Sequence, residues 1–197
     1  MTSPLITLYP VIAPVSQPDQ DLKGREKVVR LSQLARLALQ RSCQISGLRL
    51  DSLPKDEDGV PLPVDGVYWS ISHKSEVVGG VAAPMPVGFD LEILRPINPA
   101  LMDRVADIDE WGLVGSEQTQ TTFFRFWTAK EAVLKAEGKG FAGLSRCRIA
   151  QIIDTTCMVL TFDDRQWPVS HFWFGDQVAA ITSHHFAVDW QIVKALS

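Results

Sequence analysis

Val87-Gly-Phe-Asp-Leu-Glu92 is an apolar hexapeptide that carries two acids at alternate positions. The pattern predicts a β-strand. Side chains of a strand alternate between its two faces, so Asp90 and Glu92 point the same way, about 7 Å apart. Gly88 leaves room for a backbone or a ligand to approach closely. We therefore expect this strand to present two carboxylates on one face.

A second segment, Phe126-Trp-Thr-Ala-Lys-Glu-Ala-Val-Leu-Lys-Ala-Glu-Gly-Lys-Gly140, has the spacing of an amphipathic helix. Its aromatic residues and Phe123 repeat at helical intervals, which predicts a buried stripe. Its charged residues Lys130, Glu131 and Lys135 fall within about one and a half turns. The glycines at the end of the segment predict the helix terminus.

Together the two segments indicate a site for a magnesium-bound diphosphate. Carboxylate oxygens are hard ligands that suit Mg²⁺, and lysines neutralise the phosphate oxygens that the metal leaves free. Purely structural explanations also exist: alternating acids often line a solvated sheet face, and a Glu131–Lys135 helix pair would contribute about 0.2–0.5 kcal/mol. They do not explain why the acids interrupt an otherwise apolar strand, or why Lys130 lies beside Glu131.

These residues resemble the signature motifs of the 4′-phosphopantetheinyl transferases. The family's motifs have the forms (Val/Ile)-Gly-(hydrophobic)-Asp-(hydrophobic)-Glu and (Phe/Trp)-(Ser/Thr/Cys)-x-Lys-Glu-(Ala/Ser)-x-x-Lys, which match Val87 to Glu92 and Trp127 to Lys135. A third motif, a hydrophobic residue followed by Ser-His, matches the end of Trp69-Ser-Ile-Ser-His73. The order and spacing resemble the larger, single-chain (Sfp-type) branch over residues 23 to 145.

The resemblance implies an α+β fold of two similar α/β lobes in a pseudo-two-fold arrangement, with the ligand cleft between them. We expect residues 1–86 to form an N-terminal lobe that contacts the nucleotide of coenzyme A, and residues 87–197 to form a C-terminal lobe that carries the Mg-binding and catalytic motifs. An internal echo supports two lobes, because Val67-Tyr-Trp with Val81-Ala-Ala resembles His171-Phe-Trp with Val178-Ala-Ala.

The function implied by the resemblance is Mg²⁺-dependent transfer of the 4′-phosphopantetheine group from coenzyme A to a serine of an apo acyl or peptidyl carrier protein. The implied metal ligands are Asp90, Glu92 and Glu131. The implied catalytic residues are Glu131, Lys135, Lys130 and Glu110. Glu110 matches a family glutamate that helps to deprotonate the serine, and Glu131 or a metal-bound water are the alternatives for that role.

Coenzyme A contacts also follow from the resemblance. Arg36, with Arg30 as the second candidate, is expected on the 3′-phosphate of the nucleotide. Ser72, His73, Asp90, Lys130 and Lys135 are expected around the diphosphate. The family often has Gly-Lys-Pro before the Ser-His motif, whereas Gly59-Val60-Pro61 stands here. Lys55, five residues upstream, either replaces the missing lysine or that contact is absent.

Composition narrows the function classes. The net charge of −4 hides a basic start, because residues 1–50 hold seven lysines and arginines against three acids. This small excess without stacking aromatics favours a polyanionic small molecule or an acidic protein over nucleic acid. Three cysteines, an odd number without paired spacing, predict neither a disulfide framework nor a zinc site. We expect a cytoplasmic monomer with no membrane partner, since no apolar run is long enough to span a bilayer.

Periodicity and turn residues predict the remaining elements. Strands are expected at Leu5–Leu8, Val67–Ile71 and Val77–Ala82, with short strands over 147–192. Helices are expected at 24–45, 98–105, 107–114 and 119–137, and a loop at 51–66. His184-His185 is not interpreted as a metal pair, because adjacent residues of a strand face opposite ways.

Two other functions are consistent with the same residues. One is a non-catalytic module that binds coenzyme A or a carrier protein, and the intact set of carboxylates and lysines argues against it. The other is a different Mg²⁺-dependent enzyme, a hydrolase of nucleotide diphosphates.

Overall fold

The computed structural model describes residues 6–115, 119–184 and 186–196. Two predictions fall on residues outside these ranges, Leu5 at the start of the first strand and His185 of the histidine pair. The strands are β1 Thr7–Leu8, β2 Val11–Pro14, β3 Tyr68–His73, β4 Val77–Ala83, β5 Phe89–Ile93, β6 Cys147–Ile152, β7 Cys157–Phe162, β8 Arg165–Phe174, β9 Gln177–Thr182, β10 Ala187–Val188 and β11 Gln191–Ile192. The helices are α1 Gln17–Asp21, α2 Gly24–Ser46, α3 Pro99–Val105, α4 Ile108–Gly112 and α5 Gln120–Glu137, followed by a 3₁₀ helix, Phe141–Arg146.

The long helices and the central strands agree with the sequence predictions to within a few residues. Helix α5 ends where Gly138 adopts a left-handed conformation with φ of 64°, and its N–H caps the carbonyls of Leu134 and Lys135. The sequence patterns did not predict α1, β2 or the 3₁₀ helix. These are short elements whose few residues carry too little periodicity to be recognised.

The fold is α+β, as predicted. In the described residues it has two larger sheets, each covered by one long helix, and a third sheet formed by β1 and β10 alone. In the described part of the chain, one larger sheet has the order β11-β2-β4-β3 and the other has the order β5-β9-β8-β7-β6. Helix α2 packs on the first sheet and α5 on the second. The internal echo lies on two antiparallel strand pairs, β3–β4 in the first sheet and β8–β9 in the second, but β3 is an edge strand whereas β8 is internal.

Glycines allow the helices and sheets to approach closely. A Cβ added to Gly80 of β4 would lie 2.9 Å from the backbone nitrogen of Leu39 in α2. One added to Gly88, just before β5, would lie 1.7 Å from the carbonyl oxygen of Ala132 in α5. Of the two possibilities left open by the sequence, Gly88 therefore makes room for a backbone. This contact fixes β5 against the helix segment that contains Glu131 and Lys135.

The two sheets meet at the edge strands β3 and β5, but these strands share no backbone ladder in the described residues. Serine hydroxyls connect them instead. Ser70 Oγ accepts a hydrogen bond from the N–H of Phe89 (3.0 Å), and Ser72 Oγ accepts one from the N–H of Leu91 (3.2 Å). Because alternate residues of β3 face β5, the serine at every second position can make this connection.

The end of the described chain returns to the first sheet. Strand β10 pairs in parallel with β1, and β11 pairs in parallel with β2. Residues 187–192 thus lie beside N-terminal strands, although the sequence analysis assigned the whole of 87–197 to a C-terminal lobe. The division of the chain into lobes at residues 86 and 87 remains a prediction.

The cysteines form no disulfide among the described residues. Cys43, Cys147 and Cys157 are free thiols. Burial raises the pKa of Cys43 and raises that of Cys147 to about 12, so both are neutral packing groups at neutral pH.

Among the helices of the described residues, none combines the length and the apolar character needed to cross a bilayer.

The close contact at Gly88 predicts a strong effect of one methyl group. We expect Gly88→Ala to lower the free energy of unfolding by about 3 kcal/mol or more, because the Cβ would collide with the backbone of α5. Gly112→Ala is the control, since a Cβ at Gly112 meets nothing within 4 Å. Urea unfolding of both variants tests this, and equal stabilities would contradict the packing described here.

Candidate active site

A cavity of about 490 Å³ lies where the two sheets meet, beside the joined edges of β3 and β5. It contains seven of the predicted site residues: Lys55, Ser72, His73, Asp90, Glu92, Glu131 and Lys135. Ser32, Ile71, Lys74, Trp127 and Phe141 complete its lining. The structure thus brings together residues from helix α2, both edge strands and α5.

Asp90 and Glu92 lie on the same face of β5 and are buried, with 4% and 3% of their surfaces exposed. Oδ1 of Asp90 accepts hydrogen bonds from Ser72 Oγ (2.9 Å) and Lys135 Nζ (2.7 Å). Oε1 of Glu92 accepts from Lys74 Nζ (2.7 Å) and Trp127 Nε1 (2.9 Å). The second oxygen of each carboxylate, Asp90 Oδ2 and Glu92 Oε2, has no described hydrogen-bond partner.

The two unpartnered oxygens are candidate ligands for the predicted metal ion. Buried polar atoms normally have partners, so two orphaned carboxylate oxygens on one strand face are the donors that a hard cation would use. In the described residues, however, no three histidine, cysteine or carboxylate side chains are arranged as a metal-binding group. Lysine ammonium groups pair with Asp90 and Glu92 instead. The donor chemistry fits Mg²⁺, whereas the arrangement of the three carboxylates is not that of a closed metal site.

Glu131 is half-buried at the cavity wall and makes no hydrogen bond or ion pair with a described residue. Burial raises the pKa of Glu131, and the Asp90 carboxylate raises it further, whereas Lys135 and Lys74 lower it. The fold therefore holds a carboxylate near two others at a cost in stability. Such a cost is typical of a site that is completed by a ligand.

Lys135 does not form the helix pair with Glu131 that the i, i+4 spacing suggests. Its Nζ lies 2.7 Å from Asp90 Oδ1 and also donates to the carbonyl oxygens of Phe89 (3.0 Å) and Ile71 (3.5 Å). These acceptors belong to β5 and β3, so a single ammonium group spans both edge strands. Lys135 thus has a structural contact that the sequence did not reveal, and it also faces the cavity.

His73 and Lys55 line the cavity as predicted, and Ser72 is there in a different role. Burial lowers the pKa of His73, as do the positive charges of Lys135, Lys74 and Lys55, so its imidazole is neutral at pH 7. It can offer a hydrogen bond to a phosphate but not a full charge. The hydroxyl of Ser72 is engaged between Asp90 and Leu91, so it positions the carboxylate.

Lys130 and Glu110 are not part of the cavity. Lys130 Nζ lies 2.6 Å from Glu110 Oε1, and both side chains are almost fully buried. The Glu110 carboxylate also accepts the N–H groups of Ile149 (2.7 Å) and Asp107 (3.1 Å). The predicted contact of Lys130 with phosphate and the predicted role of Glu110 as a base do not match this placement. The pair instead joins α5 to α4 and β6 inside the second half of the protein.

The two arginines predicted on the nucleotide differ in their contacts. Arg30 pairs with Asp19 of α1, with Nε 2.7 Å from Oδ1. Arg36 is exposed on α2, one turn after Ser32, which lines the cavity. Arg36 is therefore the better placed of the two, since residues four apart share a helix face.

Five lining residues were not predicted as site residues, and two of them, Lys74 and Trp127, contact Glu92. Lys74 follows the Ser-His motif, and its position in a turn gave no periodic signal. Trp127 was assigned to the buried stripe of α5, and Phe123 and Phe126 do form that stripe. Trp127 is half-buried and its indole N–H reaches Glu92. Trp127 follows Phe126 directly, so its side chain is rotated by about 100° around the helix from the buried stripe. This rotation was the signal in the sequence that could have placed Trp127 at the cavity.

Comparison with known proteins agrees with this geometry. A sequence model described as the 4′-phosphopantetheinyl transferase superfamily matches residues 86–188, a little over half of the chain. The chain belongs to this superfamily. The matched region includes both the β5 carboxylates and the motif of α5, whereas the Ser-His motif lies before it.

Several curated relatives are 4′-phosphopantetheinyl transferases. Psf-1 of Bacillus pumilus is 35% identical over 86 residues, which is 42% of this chain and 37% of the relative. HetI of Nostoc sp. is 40% identical over 91 residues, 43% of this chain and 38% of the relative. Sfp of Bacillus subtilis is 26% identical over 114 residues, 55% of this chain and 50% of the relative. The chain thus aligns with half or less of the length of these three relatives.

The buried Lys130–Glu110 pair predicts a large penalty for breaking it from one side. We expect Glu110→Gln to lower the free energy of unfolding by about 3–5 kcal/mol, because it leaves the Lys130 ammonium buried without an anion. The double variant Lys130→Met/Glu110→Gln should recover much of that loss. Urea unfolding of the single and double variants measures the coupling. A Glu110→Gln protein of normal stability would contradict the structural role.

The raised pKa of Glu131 predicts a pH-dependent gain from removing its charge. Because the folded state disfavours the ionised form, the wild type loses stability as pH rises from the ordinary glutamate pKa through the raised one. Glu131→Gln should therefore melt at a higher temperature than the wild type at about pH 8, and the difference should vanish near pH 4. Thermal melts without divalent metal test this. A variant that is less stable at every pH would refute it.

Proposed function

We propose that this protein transfers the 4′-phosphopantetheine group of coenzyme A to a serine hydroxyl of an apo acyl or peptidyl carrier protein, in a reaction that requires Mg²⁺. The observation that carries the proposal is the cavity between the sheets. It presents the carboxylates of Asp90, Glu92 and Glu131 beside the ammonium groups of Lys55, Lys74 and Lys135. Alternating charge of this kind suits a metal–diphosphate, because each sign has a matching group on the ligand.

Asp90 and Glu92, through their unpartnered oxygens, and Glu131 would hold the magnesium ion. When bound, the ion would supply positive charge to the diphosphate oxygens and orient them for displacement. The division of the chain into a nucleotide lobe and a catalytic lobe is part of the same proposal. So are the monomeric state, the cytoplasmic location and the expectation of no nucleic acid or membrane partner.

The side chains of the chain itself do most of the work in this proposal. Lys135 places an ammonium group at the junction of β3 and β5, where it stabilises negative charge on the reacting phosphate. His73, as a neutral imidazole, donates a hydrogen bond without adding charge. Trp127 and Phe141 add apolar surface to the wall of the cavity. Catalysis then rests on positioning and electrostatics.

The bonds change at one phosphorus atom. The serine oxygen of the carrier forms a bond to the β-phosphate of coenzyme A, and the bond from that phosphorus to the bridging oxygen breaks. Adenosine 3′,5′-bisphosphate leaves. The serine proton passes to the oxygen of the Glu131 carboxylate that the metal would leave free, because Glu131 lines the cavity and makes no hydrogen bond or ion pair with a described residue. Glu110 is not used, because its carboxylate is buried against Lys130.

The nucleotide end of coenzyme A is assigned to helix α2 and the loop before β3. Arg36 faces the solvent on the side of α2 that reaches the cavity through Ser32. Lys55 lies 6.0 Å from the centre of the Trp69 ring and lines the cavity, so it is placed to replace the lysine missing at Val60. Arg30 is the weaker candidate, because it would have to give up its pair with Asp19.

Intact mass spectrometry of apo-carrier proteins tests the function. We expect a carrier incubated with this protein, coenzyme A and Mg²⁺ to gain the mass of one phosphopantetheine group. Lys135→Ala should slow single-turnover transfer about 10²–10³-fold, because it withdraws charge stabilisation from the reacting phosphate. Lys139→Ala is the matched control, an exposed lysine of the same region that does not line the cavity.

The variants need a stability measurement beside the rate, since Lys135 also joins the edge strands. Transfer should remain slow in Lys135→Ala at temperatures where the protein is fully folded. Binding of coenzyme A without transfer to any carrier would instead indicate a binding module. Release of adenosine 3′,5′-bisphosphate without a carrier would indicate a hydrolase. Either result would overturn the proposal.

A further inference from the structure

Each carboxylate of β5 is paired with one lysine in the absence of a metal. Lys74 Nζ lies 2.7 Å from Glu92 Oε1, and Lys135 Nζ lies 2.7 Å from Asp90 Oδ1. The two ammonium groups together carry the charge of one divalent cation. They neutralise the same two side chains that are proposed to bind Mg²⁺. The metal ion would use the other oxygen of each carboxylate, so ammonium and metal ion compete for the charge of the same two buried anions and not for the same atoms.

The two lysines are held very differently. Lys135 Nζ has three acceptors, of which two are backbone carbonyl oxygens, so it keeps contacts even if Asp90 turns to another cation. Lys74 Nζ has no acceptor other than Glu92 among the described residues. Its side chain is 31% exposed and extends from the turn that joins β3 to β4. The Lys135 side chain is exposed to nearly the same degree, 30%, so the two lysines differ in their acceptors and not in their exposure. Once a cation balances the charge of Glu92, Lys74 can move to solvent without losing another hydrogen bond, whereas Lys135 would lose its contacts with backbone carbonyls.

We propose that Lys74 is a displaceable counter-ion of Glu92, which balances the charge of this buried carboxylate in the free protein and is released when a divalent cation binds the free oxygen of the same carboxylate. The inference rests on the proposed metal site. A buried carboxylate without a counter-ion is costly, and Lys74 removes that cost at the expense of metal affinity. The residue after the Ser-His motif accordingly sets the metal concentration that the protein needs.

A fixed structural ion pair is the alternative explanation of the same contact. Removing Lys74 from such a pair would destabilise the protein and leave metal binding unchanged or weaker. Removing a displaceable counter-ion has the opposite effect on the metal, since the cation no longer competes with an ammonium group. The sign of the change in metal affinity therefore separates the two explanations.

Binding of Mn²⁺ to the protein alone, without coenzyme A, provides the test. Electron paramagnetic resonance counts free Mn²⁺, which gives the dissociation constant directly and involves no transfer reaction. We expect Lys74→Met to bind Mn²⁺ about five- to thirtyfold more tightly than the wild type, the range typical of losing one competing charge-assisted contact. Lys74→Arg should bind it more weakly, because a guanidinium holds a carboxylate through two hydrogen bonds.

Lys55→Met is the matched control. It removes a positive charge from the same cavity, but Lys55 makes no ion pair with Glu92. Its effect on Mn²⁺ affinity should be clearly smaller than that of Lys74→Met. Equal tightening by both variants would mean that only the overall potential of the cavity matters, and would overturn the inference. So would unchanged affinity in Lys74→Met.

Thermal melts keep the test decisive if Lys74→Met is unstable. Mn²⁺ should raise the melting temperature of Lys74→Met more than that of the wild type, because the cation restores the missing charge at Glu92. If no form of the protein binds Mn²⁺, both the metal site and this inference fail. The mass assay for transfer then shows separately, with and without a chelator, whether the proposed reaction stands.

Discussion

The hydrogen-bonded joint between β3 and β5 is the constraint on which the rest of the structure depends. These edge strands belong to different sheets and would each expose unpaired backbone groups. Ser70, Ser72 and the Lys135 ammonium group satisfy part of that requirement with side chains. The two sheets also share an apolar core. At their edges they are joined by polar side-chain atoms, where a continuous ladder would have merged them into one sheet.

A joint made of side chains leaves space that a ladder would fill, and this space is the cavity. The charged residues of the site are concentrated there because they have two tasks. In the joint, Oδ1 of Asp90 accepts hydrogen bonds from Ser72 and Lys135, and Oδ2 has no described partner. Gly88 permits the approach of α5 that brings Lys135 within reach. Packing and proposed chemistry therefore use the same few atoms.

The periodicity of the sequence predicted much of this site. The two-residue repeat of a strand placed Asp90 and Glu92 together, and the i, i+4 relation placed Glu131 near Lys135 on α5. The same geometry explains the failure for Lys130, which is rotated by about 100° from Glu131 and faces the interior of the second half. The partner of Lys130 is Glu110 in α4, and no local pattern relates two residues of different helices. Lys74 escaped notice because a turn has no repeating face.

The pairing of β2 with β11 has a consequence for how the protein is made. Val11 lies beside Gln191, and Thr7 beside Ala187, so almost the whole described chain separates these partners. During synthesis the hairpin β3–β4 and helix α2 can assemble early, but the first sheet stays open on one side. Closing so long a loop is entropically costly and comes late in folding. Until then β2 is an exposed edge, available to another chain as well as to its own end.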